Sequence, residues 1–241
     1  MVQQNIIGGF MKYYRLDNSV NTKEIGRHFL QATSADKKTL DSGWSLVRDE
    51  FPNFKPDLRF NLEKGSKLTD VINSCIEVPG FTINERVKNI FEQCKLPEHR
   101  YYEATVTDLK GVVHPYYCLH ILPNDYSMID FDKTIFKKTE EPMKTWPELA
   151  FPNVEKIKNA PEIRIKSLEE LKKYEDEFFP NDLYVVLDVL RIHDREKYDM
   201  LFFPDVDVTT KYISEKLANM LKSEKITGIG LYPCDDIENI E

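Results

Sequence analysis

This chain of 241 residues has little of what extracellular, membrane-spanning or disordered proteins are built from. Its four cysteines, Cys75, Cys94, Cys118 and Cys234, are far apart and form no C-x-x-C pair, which excludes a disulfide framework and a cysteine zinc site. Nine glycines and thirteen prolines fall below the usual combined share of about 12%, so long low-complexity stretches are excluded. No apolar run approaches the ~18 residues of a membrane-spanning helix. The best run, 183–190, is broken by Asp188. Residues 1–10 lack a basic segment followed by an apolar one, so the expected location is the cytoplasm. Basic residues are also the minority: 33 Lys+Arg against 41 Asp+Glu leave a net charge of −8. That balance argues against a general nucleic-acid binder, which needs clustered Lys and Arg on phosphates, and suits either solubility or a basic partner.

Catalytic motifs are scarce too. Five histidines occur, His28, His99, His114, His120 and His193, none in an H-E-x-x-H spacing. His114 and His120 would share one face of a strand about 20 Å apart, too far to bind one metal. His193 and Asp194 are adjacent, and neighbouring side chains of an extended chain point apart. Gly8-Gly9 and Gly228-Ile229-Gly230 match neither G-x-G-x-x-G nor a phosphate loop, so no nucleotide cofactor is expected. Asp205 and Asp207 are close enough in sequence to hold magnesium in a hydrolase or nuclease, but Lys211 does not have the nuclease spacing. The same acids also serve as turn formers.

What is present reads as alternating short strands and helices. An aromatic-rich strand is expected over 10–16 and a helix over 22–31. Asn84 caps a helix with Val87, Ile90, Phe91 and Cys94 on one stripe. Residues 101–106 and 112–122 form a β-hairpin across Asp108-Leu109-Lys110-Gly111, and an extended piece follows over 126–136. Ser167 and Glu170 make a capping box. Residues 183–192 and 198–203 read as a second β pair, and Ser214 opens a helix with Leu217, Met220 and Leu221, before a strand over 229–232.

Shifting the chain by 130 residues aligns 83–104 with 213–234 without a gap. Glu85, Asn89, Lys95 and Tyr102 meet Glu215, Asn219, Lys225 and Tyr232, and the apolar positions correspond, giving a repeated cap, helix, turn and strand. The expected fold is therefore α+β, mostly antiparallel, with two related sheet-plus-short-helix halves. These would be an N-terminal half over 1–140, a proline-containing linker over 141–162 and a C-terminal half over 163–241.

Several segments carry a resemblance. They are Leu68-Thr69-Asp70-Val71-Ile72, Phe81-Thr82-Ile83-Asn84-Glu85-Arg86-Val87, residues 101–106 and 114–121, Leu201-Phe202-Phe203, Ile213-Ser214-Glu215-Lys216-Leu217, and 226–233 ending Gly230-Leu231-Tyr232-Pro233. Together, over about 57–233, they resemble the immunity proteins of bacterial polymorphic toxin systems. The group they resemble has paired units of a serine-glutamate-basic-leucine helix and a glycine-aromatic-proline strand. The first copy departs from this pattern: Asn84 replaces the serine, and Pro97-Glu98 stands where the second has Thr227-Gly228.

The resemblance implies a small non-enzymatic antidote, without catalytic residues, cofactor or metal, that binds a cognate protein toxin and occludes its functional surface. A basic toxin would be attracted by the −8 charge. Polar or exposed candidates for the contact are Trp146, Asp205, Asp207, Asp235, Asp236 and Glu238. The alternatives are a metal-dependent hydrolase or nuclease using Asp205 and Asp207, or an adaptor without inhibitory action. The sequence does not fix the oligomeric state.

Overall fold

A computed structural model describes residues 12–44, 46, 49–75, 79–139, 159–181, 183–207, 210–234 and 237–239. The fold is α+β, and the described residues form three mostly antiparallel sheets. Among the described residues no helix is long and apolar enough to cross a membrane.

The chain forms two compact units that interleave in sequence. Unit 1 takes the chain to Pro123 together with Tyr198–Phe202 and Lys211–Cys234; unit 2 takes Asn124–Lys197, Phe203–Thr210 and the residues after Cys234. These bounds differ from the expected division at 141–162. Both copies of the echo fall in unit 1, because the late strands pair with a strand near the start of the chain. The expected linker lies mostly outside the described residues.

Unit 1 contains β1 (Tyr13–Asn18), α1 (Thr22–Ile25), β2 (Ala32–Ser34), α2 (Lys37–Trp44), β3 (Leu58–Leu62), β4 (Val71–Ile72), β5 (Gly80–Ile83), α3 (Glu85–Phe91), β6 (His99–Thr107) and β7 (Val113–Ile121). The expected helix over 22–31 stops at Ile25. Gly26 adopts φ +97, and a Cβ there would lie 2.2 Å from the Gly65 carbonyl oxygen, so only glycine fits the turn that crosses Gly65.

The six-stranded sheet runs β2-β3-β6-β7-β5-β4, parallel only at β3–β6. Its period of two sends Phe81, Ile83, Leu119 and Ile121 into one core, and Phe60, Ala104, Val106, Tyr116 and Cys118 into another. The expected hairpin is β6–β7, paired from His99↔Ile121 to Thr107↔Val113.

Later segments follow the same pattern. In unit 2, β8 (Ile135–Thr139), β9 (Glu162–Ile163), α4 (Leu168–Phe178) and β10 (Tyr184–Ile192) precede β11 (Met200–Phe202), β12 (Lys211–Ser214), α5 (Glu215–Ser223) and β13 (Ile229–Cys234) of unit 1. The last strand, β14 (Ile237–Asn239), belongs to unit 2. Tyr126–Met128, expected extended, is a 3₁₀ turn begun by the Asp125 side chain. The expected pairing of 183–192 with 198–203 does not form. β10 lies between β14 and β8, whereas β11 pairs with β12. Strand propensity is local, but the choice of partner is not.

Unit 1's second sheet has the order β11-β12-β1-β13. It repeats β4-β5-β7-β6 strand for strand, with β1 in the slot of β7. Registers agree: Val71↔Ile83 matches Met200↔Ile213, Ile83↔Tyr117 matches Ile213↔Tyr14, and Tyr101↔Leu119 matches Leu231↔Leu16. The echo is therefore a repeated topology, and the stripes of α3 (Val87, Ile90, Phe91) and α5 (Leu217, Ala218, Leu221) enter one shared core.

Unit 2 packs α4 on the sheet β14-β10-β8-β9 through Phe136, Ile165 and Leu171. Ser167 Oγ accepts from the Glu170 amide at 3.2 Å, the cap that the pattern predicts, while Glu170 Oε2 accepts at 2.6 Å from the Lys166 amide, one residue before the cap amide that a capping box uses.

Candidate functional site

The motif residues are occupied in building unit 1. Ser214 Oγ accepts from the Leu217 amide at 3.2 Å and donates to Asp199 Oδ1 at 2.8 Å. Lys216 Nζ donates to Asp199 Oδ2 at 2.9 Å, and Leu217 is fully buried. In the first copy Asn84 Oδ1 accepts from the Val87 amide at 3.2 Å, Arg86 donates to Asp70 Oδ1 at 2.8 Å, and Val87 is buried.

Asp70 also accepts from Asn84 Nδ2 at 2.8 Å and, through Oδ2, from the amide and hydroxyl of Thr227. Burial opposes ionisation of both aspartates. For Asp70, the Thr227 and Asn84 hydrogen bonds and Arg86 outweigh it; for Asp199, the Lys95 amide, Lys216 and Ser214 do so. Both carboxyls sit below the ordinary range. These charged groups are engaged in hydrogen bonds and ion pairs within unit 1.

An exposed apolar feature of unit 1 is the tip of the β6–β7 hairpin. Asp108 Oδ1 accepts from the amides of Lys110 at 2.8 Å and Val112 at 2.9 Å, and Oδ2 lies 3.1 Å from His114 Nε2. His114 and these amides hold the Asp108 carboxyl low. The Asp108 amide donates to the Val112 carbonyl at 2.8 Å, and Gly111 turns the chain at φ +82. This network presents Leu109, Val112 and Val113 to solvent at 59%, 51% and 59% exposure. Three large apolar side chains on a pre-ordered turn are the arrangement of an anchor that fills a partner's cleft at small entropic cost. From sequence, 108–111 reads as a turn; the signal for the exposed tip is the apolar run around an aspartate with a histidine six residues on.

The candidates named from sequence lie elsewhere. Asp205 is half-buried in unit 2. Its Oδ2 accepts from Tyr126 Oη at 2.8 Å, its amide donates to the same oxygen at 3.2 Å, and Lys172 Nζ is 3.9 Å away. Asp207 is also half-buried, with its amide on the Phe203 carbonyl at 2.9 Å. Both acids therefore belong to a structured turn. Among the described residues no group of three or more His, Cys, Asp or Glu is placed to hold a metal. Glu238 lies on β14, in backbone register with Arg191 of the parallel strand β10. Trp146, Asp235 and Asp236 lie outside the described residues.

The histidines are dispersed. His120 is fully buried, edge-on to Phe51 at 5.1 Å between centroids, His99 Nδ1 is 2.7 Å from the Pro97 carbonyl oxygen, and His193 Nε2 is 3.8 Å from Asp130. Neither a protein-family model nor a curated protein matches the sequence.

Proposed function

We propose that this chain is an immunity protein, one that binds a cognate bacterial toxin in the cytoplasm and neutralises it by covering the toxin's functional surface. The observation that carries this reading is the duplicated cap, helix, turn and strand around one core: the residues on which the family resemblance rests act together, as motif residues of a shared scaffold would. Inhibition of this kind needs a well-packed contact of about 1,600 Å² and a few anchors rather than catalytic groups. The ordered tip bearing Leu109, Val112 and Val113 supplies such anchors, and the net charge of −8 favours a basic partner.

The test is co-expression with the toxin domain encoded beside this gene. Cells producing both should grow, and cells producing the toxin alone should not. Loss of growth despite soluble co-expression overturns the reading.

A further inference from the structure

We infer that unit 1 is a reciprocally latched pair of repeats, in which Asp70 and Asp199 each clamp the helix-to-strand turn of the other copy, so that the two turns open together. The first repeat is β4, β5, α3, β6 and β7. The second is β11, β12, α5, β13 and β1, its central strand supplied from the start of the chain.

Asp70 precedes β4 and Asp199 precedes β11, at matching places in the two registers. Within its own copy each does the same work. The Asp70 carbonyl accepts from the Asn84 amide at 2.8 Å and the Asp199 carbonyl from the Ser214 amide at 2.9 Å, while the carboxylates hold the cap side chains and the basic residues Arg86 and Lys216.

Each then reaches across. Asp70 Oδ2 takes the Thr227 amide and hydroxyl, in the turn after α5, and the Val71 amide donates to the Thr227 carbonyl at 3.0 Å. Asp199 Oδ2 takes the Lys95 amide at 2.9 Å, in the turn after α3, and the Asp199 amide donates to the Lys95 carbonyl at 2.6 Å.

The exchange is closed on itself. Each turn also leads into a strand whose start is bonded alike, Leu122 amide to Glu98 carbonyl at 2.8 Å and Ser19 amide to Gly228 carbonyl at 3.0 Å. Phe81 and Lys211, equivalent residues of the two repeats, meet each other with Nζ 5.2 Å from the ring centroid. Because each carboxylate ties the cap of its own helix to the far turn, and both helices share one core, loosening one turn frees the cap that orients the other.

Hydrogen exchange on the full chain tests this. Asp70→Asn, which keeps the shape and removes the charge, should reduce protection about tenfold in both 92–98 and 224–228, ahead of β6 and β7. Asp199→Asn should give the same pair of losses. Loss confined to 224–228 in Asp70→Asn, a uniform loss across unit 1, or no loss in either turn overturns the latch. If Asp70→Asn does not fold, Thr227→Val removes only the hydroxyl donor and must still loosen both turns, to a smaller extent; a change in one alone overturns the inference.

Discussion

Asp70 Oδ2 accepts hydrogen bonds from the amide of Thr227 at 2.9 Å and from its hydroxyl at 2.7 Å, although the two residues are 157 positions apart. Removing the carboxylate leaves the Thr227 and Asn84 donors without their acceptor in a site where the Asp70 side chain is 8% exposed, and breaks the ion pair with Arg86. Asp70→Ala should therefore lower the unfolding free energy by about 3 kcal/mol, read from urea denaturation.

Asp70 and Asp199 should contribute to the acid sensitivity of unit 1. Their folded carboxyls lie below the ordinary value, so each binds protons less readily folded than unfolded. Their contribution is complete above about pH 4 and is lost as pH falls through the lower folded values. Stability measured against pH should drop steeply below about pH 4 in the native chain. The drop should be shallower in the Asp70→Asn, Asp199→Asn double variant, whose stability is already reduced at neutral pH.

Two glycines with similar backbone angles should respond very differently to alanine. At Gly228, φ is +84 and an added Cβ would lie 1.9 Å from the Val71 carbonyl oxygen; at Gly111, φ is +82 and nothing lies within 4 Å. Gly111→Ala should cost about 1 kcal/mol of left-handed strain. Gly228→Ala should cost several times more, because backbone must move, and its thermal midpoint should fall well below that of Gly111→Ala.

Replacing Leu109, Val112 and Val113 with serine should leave stability within about 0.5 kcal/mol per site, since all three are exposed. The same variant should lose protection against the toxin. Calorimetry with the folded variant, beside a growth assay, separates lost binding from lost folding.

Association with a basic toxin should slow as ionic strength rises, because the −8 charge steers encounter at long range and salt screens it beyond about 10 Å at 0.1 M. Stopped-flow rates across a salt series measure this; a flat series removes charge from the mechanism.

Much of the fold was legible because the relevant forces act between near neighbours. Asn84, Ser167 and Ser214 cap the helices they were expected to cap, and the β6–β7 hairpin follows from alternation around the Asp108 turn. The expected helix over 22–31 failed at Gly26, where a contact with Gly65, 39 residues on, decides the backbone. The anchor candidates Leu109, Val112 and Val113 were hidden for a related reason: exposure depends on what packs over a side chain, and sequence gives only its polarity.

The sequence by itself determined the α+β class, the caps and helix stripes, and the existence of a repeated unit, since periodicity and capping are written into contiguous residues. Tertiary structure alone decided that both repeats share one core, that β1 completes the second, and that Asp70 meets Thr227 while Asp199 meets Lys95. Strand partners and buried carboxylate contacts are chosen by which chain segments exclude water together, and that choice joins residues more than a hundred positions apart.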